Sequence, residues 1–260
     1  MPPAHIFIVR HGERMDHVDP DFGKTYPRPH DSPLTANGVA MAEALGAYLV
    51  QHYHIAPADT VILTSPLTRC VQTSNGIVNG ALRAVGDGAP SIPIYLEPAV
   101  MEGPFWIFRD MSQNPDIVDP NTGAFRCPVP VHYDDAFHRE RTSPHVQLTN
   151  PFPLYPPPHF IAEDKELLDH SFPERCHRGV EQLLRVPELD GRNVILVAHG
   201  ETVLRAMYTL TGTDGPTIIS GPPYTAFVHL TSEGSGAEGR MVADSLVFGT
   251  PHLPEKPREH

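Results

Sequence analysis

Two stretches of this sequence end alike. IFIVRHGERMD (6–16) and VILVAHGETVL (194–204) each close an apolar run with one residue and then His-Gly-Glu. Two further runs end on residues able to do chemistry: TVILTSP leads into LTRCVQT, which carries Arg69, and IPIYLEP leads into AVMEG, which carries Glu102. In an open parallel sheet, ligands bind beyond the carboxyl ends of the strands. If these four runs are strands of one such sheet, Arg10, His11, Arg69, Glu102 and His199 gather at one rim. The two arginines supply forked donors that suit a phosphoryl group. Helix N-termini expected after both His-Gly pairs add backbone N–H groups and a favourable dipole. A neutral histidine can attack phosphorus, a second one, if protonated, adds charge at the transferring oxygens, and a carboxylic acid can protonate the leaving oxygen. The set contains the parts of a metal-free phosphoryl-transfer site.

Positioning these residues requires strands and helices in alternation. Strand-like runs lie at His5–Val9, Thr60–Leu63, Ile92–Leu96 and Asn193–Ala198. VAMAEALGAYLVQHY follows with apolar residues near helical spacing and Thr35 as its N-cap. Pro66 suits the first turn of the helix carrying Arg69. SFPERCHRGVEQLLRV opens with Ser171 and has Glu174 three residues on, the capping-box pattern, and ETVLRAMYTLTG ends on Gly212, a C-cap residue. Nearly all-apolar strands between helices predict an α/β fold, a three-layer sandwich with a mainly parallel sheet covered on both faces. YTAFVHL and RMVADSLVF, around SEGSGAEG, predict an antiparallel hairpin at the sheet edge. The chain is expected to form a single domain over 1–260, with an irregular Pro- and aromatic-rich segment at 103–169 as an inserted cap and 252–260 as a flexible tail.

Composition narrows the partners. Across 260 residues the net charge is -12, which disfavours nucleic acid and anionic membrane as partners. The expected partners are a phosphorylated substrate and, at most, a second copy of the chain in a homodimer. No secretory signal pattern or spanning apolar run is read, and the three separated cysteines suit a reducing compartment, so a cytoplasmic location is expected. Among the 16 histidines, HVDPD and HYDDAFH lack the spacing of a zinc site, so neither metal nor cofactor is expected. Cys70 follows Arg69 but no phosphatase loop of the Cys-then-Arg kind surrounds it, and it reads as core. Phe105, Trp106 and Phe108 either line an apolar substrate pocket or pack the insert on the sheet.

VRHGER, TSPLTRCVQT, EPAVME and VAHGET, in this order, resemble the histidine phosphatase (phosphoglycerate-mutase-like) superfamily. RHGERMD, SPLTRCVQT and SFPERCHRGVEQL are most similar to its branch of suppressor-of-T-cell-receptor-signalling and ecdysteroid-phosphate phosphatases. The resemblance implies His11 as phosphorylated nucleophile, Arg10, Arg69 and His199 in the phosphate pocket, Glu102 as proton donor, and Arg14 as a further phosphate contact. It implies a metal-independent phosphomonoesterase acting through phosphohistidine on an aryl, steroid or phosphotyrosine-type monoester, with Trp106 a substrate-binding candidate. The alternatives are a sugar-(bis)phosphatase or mutase relative, or a catalytically weak interaction module. The mutase signature continues with Ser and Trp-Asn where this chain has RMDHVD. Glu13 and Glu201, after the two His-Gly pairs, read as structural.

Overall fold

The computed structural model describes residues 2–26, 31–102, 135–151, 165–213, 221–233 and 240–254. Its strands are β1 (His5–Arg10), β2 (Thr60–Thr64), β3 (Ile94–Leu96), β4 (Asn193–Ala198), β5 (Phe227–Glu233) and β6 (Arg240–Ala243). Its α-helices are α1 (Phe22–Thr25), α2 (Ala36–Tyr53), α3 (Thr68–Val85), α4 (Asp135–Arg141), α5 (Lys165–Leu183) and α6 (Gly200–Thr211). The six strands form one sheet in the order β3-β2-β4-β1-β5-β6. The first four are parallel to one another, and β5 and β6 are antiparallel at the edge.

The central strands are apolar at nearly every position because both of their faces are covered. In β1, Phe7 and Val9 join a core with Leu45 and Leu49 of α2 and Val71, Ile77 and Val78 of α3. Ile6 and Ile8 point the other way, into a core with Val180 and Leu183 of α5 and Val203, Met207 and Leu210 of α6. The expected three-layer α/β sandwich with its edge hairpin is what forms. No helix of the described residues is long and apolar enough to cross a membrane.

Local expectations divide. The Thr35 side chain caps α2 by accepting from the Gly38 N–H, and Gly212 ends α6 in the left-handed conformation, at φ 62°. Three boundaries move. β3 begins at Ile94 rather than Ile92, where Pro93 has no N–H for a ladder. α3 begins at Thr68, so Pro66 lies before its N-cap, Leu67. α5 starts at Lys165 and runs through Pro173, which places Ser171 and Glu174 inside the helix rather than at its start. No helix follows the first His-Gly pair: a 3₁₀ turn at Met15–His17 stands there, because Arg14 instead bridges to Leu34. Of the 103–169 segment, 135–151 and the start of α5 are described. Val146 is buried beside Ile94, and His138 Nε2 lies 2.7 Å from the Pro66 carbonyl, where it can only donate.

The two helices on one face lie unusually close. A Cβ built on Gly80 of α3 would stand 1.9 Å from the Glu43 carbonyl oxygen of α2, and one on Gly46 would stand 2.0 Å from the Ile77 carbonyl oxygen. Backbone cannot yield as a side chain can, so Gly80→Ala must part the helices. It is expected to cost ~1–3 kcal/mol, as overpacking does, and to lower Tm by several degrees. A thermal melt unchanged from wild type would contradict this packing.

Candidate active site

Parallel pairing of β1 with β4 sets Arg10 opposite Ala198. The His11 N–H donates to the Ala198 carbonyl at 3.0 Å, carrying the ladder one residue past the strand. His11 and His199 therefore emerge side by side, their ring centroids 5.4 Å apart. Gly12 is required next to them, since a Cβ there would stand 2.7 Å from the Gly38 carbonyl oxygen. Its N–H donates to Thr73 Oγ1 at 2.9 Å, which ties the first His-Gly pair to α3.

The His11 tautomer follows from its partner. Nδ1 lies 2.8 Å from the Gly12 carbonyl oxygen, which can only accept, so Nδ1 carries the proton. Burial, then the Arg69 and Arg10 charges, hold this imidazole well below its ordinary pKa. A neutral ring protonated at Nδ1 leaves the Nε2 lone pair available. His199 is also fully buried and held well below its ordinary pKa, by burial first and the Arg69 charge second. These effects favour the neutral ring even though Glu102 Oε2 lies 3.6 Å from Nδ1. Its Nε2 is held by Ser65 Oγ at 2.8 Å.

Arg69 lies in the first turn of α3 and is 1% exposed. Its NH2 bonds Glu102 Oε2. α3 lacks a cap from its own N-cap residue, and Asp31 supplies one from a distant loop: its carboxylate accepts the Thr68 N–H at 2.7 Å and the Thr68 hydroxyl at 2.5 Å. Arg10 donates through NH1 to the Pro222 carbonyl and lies over the Tyr224 ring, 4.6 Å from its centroid. Its buried Nε has no partner among the described residues. Tyr224 precedes Thr225, a buried non-glycine at φ 53°, a conformation held against its steric cost. The Thr225 N–H reaches the His11 carbonyl at 3.2 Å.

The structure thus brings Arg10, His11, Arg69, Glu102 and His199 together. Arg14 is engaged with Asp16, its Nε and NH2 donating to the two carboxylate oxygens at 2.9 and 2.5 Å. Trp106 lies outside the described residues. Glu13 accepts from the Thr35 hydroxyl at 2.7 Å, and Glu201 pairs with Arg205 one turn on. Cys70 is core: burial pushes its thiol up to about 12. Sequence reasoning missed Ser65, Asp31 and Tyr224. Ser65 stood in a quoted motif as an unassigned hydroxyl at a strand end. The other two act across long sequence separations and leave no local signal.

The histidine phosphatase superfamily (branch 1) matches residues 6–102 of this chain, the stretch holding Arg10, His11, Arg69 and Glu102. No curated protein sequence matches it. Solved structures share its fold. The ecdysone phosphate phosphatase of Bombix mori, in complex with tungstate, is 21% identical with a TM-score of 0.62, the match covering 98% of this chain and 95% of that one. A phosphoglycerate mutase of Bacillus anthracis is 16% identical with a TM-score of 0.52, covering 94% and 92%. A variant phosphoserine phosphatase of Entamoeba histolytica, in complex with phosphoserine, is 18% identical with a TM-score of 0.51, covering 96% and 99%.

The buried histidines make stability depend on pH. His11 and His199 are held well below 6.5, and burial brings His252 down to about 4. Once unfolded, each binds a proton near 6.5. As pH falls below 6.5 the unfolded chain therefore binds more protons than the folded one, and stability falls. The slope is about 1.4 kcal/mol per pH unit for each histidine that stays neutral. Urea midpoints at pH 7.5 and pH 5 should show a clear loss at pH 5, and equal midpoints would refute neutral histidines.

Proposed function

We propose that this chain, a histidine phosphatase superfamily phosphatase over residues 6–102, is a phosphomonoesterase that works through a phosphohistidine on His11. The observation that carries the proposal is a neutral His11, with Nε2 free to attack, in the field of the Arg10 and Arg69 guanidinium groups.

A phosphate monoester entering this rim would take Arg69 from Glu102 and the unpartnered Nε–H of Arg10, exchanging internal contacts for charge-assisted bonds to phosphoryl oxygens. Its negative charge favours a proton on Glu102 and on His199, the groups beside it. His11 Nε2 attacks phosphorus as the ester P–O bond breaks, and Glu102 gives its proton to the leaving oxygen. In the second step water attacks the phosphohistidine, returns a proton to Glu102 and frees inorganic phosphate and His11. The arginines supply the positive charge that metal ions supply in other phosphoryl-transfer sites. Arg14, on release from Asp16, would add a third guanidinium. The substrate classes in view are aryl, steroid and phosphotyrosine-type monoesters.

His11→Ala is expected to abolish turnover. Wild type dialysed against chelator and quenched early should carry an acid-labile, base-stable phosphoryl group on His11. Full activity in the variant, or activity that disappears on chelation and returns with magnesium, would overturn the mechanism.

Glu102→Gln distinguishes a proton donor from a group that only holds Arg69. An alkoxide needs a proton in the transition state and nitrophenolate needs little, so general-acid catalysis, typically ~10²–10⁴-fold, should be lost only where it is needed. The variant should lose alkyl phosphate hydrolysis while largely keeping that of p-nitrophenyl phosphate. Equal losses on both would make Glu102 a positioning residue for Arg69.

A further inference from the structure

A cavity of about 1020 Å³ opens beside the phosphate site, with Arg10, Glu13, Met41, Tyr224 and Leu253 among its walls. Arg10 and Tyr224 line the cavity, and the Tyr224 ring has its centroid 5.6 Å from that of His11. A phosphoryl group held by Arg10 would therefore lie at the edge of the cavity. Among the described lining residues Arg10 is the one Lys or Arg, and Glu13 is a carboxylate. A second phosphate there would meet Glu13 and no further Lys or Arg. The remaining walls are three prolines, Met41 and Leu253, with His17, Asn37 and Thr250 as uncharged polar neighbours.

One wall comes from 250–254, part of which the sequence predicts to be a flexible tail. The described part is built in. Gly249 and Phe227 exchange backbone hydrogen bonds of 3.0 and 3.1 Å. His252 Nε2 lies 2.9 Å from Thr225 Oγ1, and its ring packs 6.0 Å from that of Phe227 and 6.2 Å from that of Tyr48. Thr225 is the residue held at φ 53° with its N–H on the His11 carbonyl. One residue therefore joins the end of β1 to the cavity wall.

We propose that this cavity is the leaving-group site, that it takes the uncharged, apolar body of a bulky alcohol or phenol, and that Met41 and Leu253 determine the fit. The proposal rests on the phosphomonoesterase reading above. It assigns substrate selection jointly to α2, which carries Met41, and to the 250–254 wall, which carries Leu253.

The test compares 2-naphthylmethyl phosphate with ethyl phosphate, whose leaving groups differ far more in bulk than in basicity. Wild type should prefer the naphthylmethyl ester in kcat/KM by roughly tenfold or more, the effect of an aromatic body leaving water. Leu253→Ala and Met41→Ala should each remove most of that preference through KM, with the loss for ethyl phosphate much the smaller. Equal kcat/KM for the two esters in wild type, or equal losses in the variants, would overturn the cavity assignment while leaving phosphatase activity standing. If wild type hydrolyses neither ester, the phosphatase reading fails and calorimetry decides on the cavity. Tighter binding of 2-naphthylmethylphosphonate than of methylphosphonate, weakened in Leu253→Ala, supports it, and equal binding overturns it.

Discussion

The site depends first on the register of one parallel strand pair. With Arg10 opposite Ala198 and the His11 N–H on the Ala198 carbonyl, the two imidazoles leave the sheet together. A shift of one residue would exchange the faces of the strand, sending Phe7 and Val9 toward α5 and α6 and Ile6 and Ile8 toward α2 and α3. The cost of such a slip to both cores holds the two histidines in register. The hydrophobic pattern on two faces thus aligns polar residues that could not align themselves.

Around that axis the site is assembled from charges that offset one another. A chain of net charge -12 buries Arg69 almost completely and sets Arg10 and Arg14 near it. Glu102 answers Arg69 and Asp16 answers Arg14, while Arg10 is held by the Pro222 carbonyl and the Tyr224 ring. An uncompensated buried guanidinium would be expensive. Asp31 acts one step further back, fixing the start of α3 and hence the place from which Arg69 extends.

The second half of the rim is organised by strain rather than charge. Thr225 adopts a conformation most residues avoid, and the surrounding bonds hold it there: its N–H to His11, its hydroxyl to Tyr224 and His252. That turn lays Tyr224 under the Arg10 guanidinium and brings the 249–254 segment back toward the phosphate site. The candidate site and the neighbouring cavity are in this way connected through a few contacts on the β5 side of the sheet.

By itself the sequence determined the strands, the long helices α2, α3 and α6, and the five residues at the rim. Apolar runs buried on both faces and helical periodicity are local signals, and strand ends in a parallel sheet have one place to put a ligand. The tertiary structure decided what rests on distant partners. Nothing local tells that Asp31 caps a helix beginning at Thr68, or that Ser65 holds His199. The protonation of His199 also lay beyond sequence, because it balances burial against neighbouring charges and both are properties of the assembled site. The start of α5 at Lys165 overrode a capping pattern at Ser171. Residues 252–260 read as a flexible tail because their composition has no periodicity. Only the tertiary structure tells that Thr225, more than twenty residues earlier, holds His252 at its start.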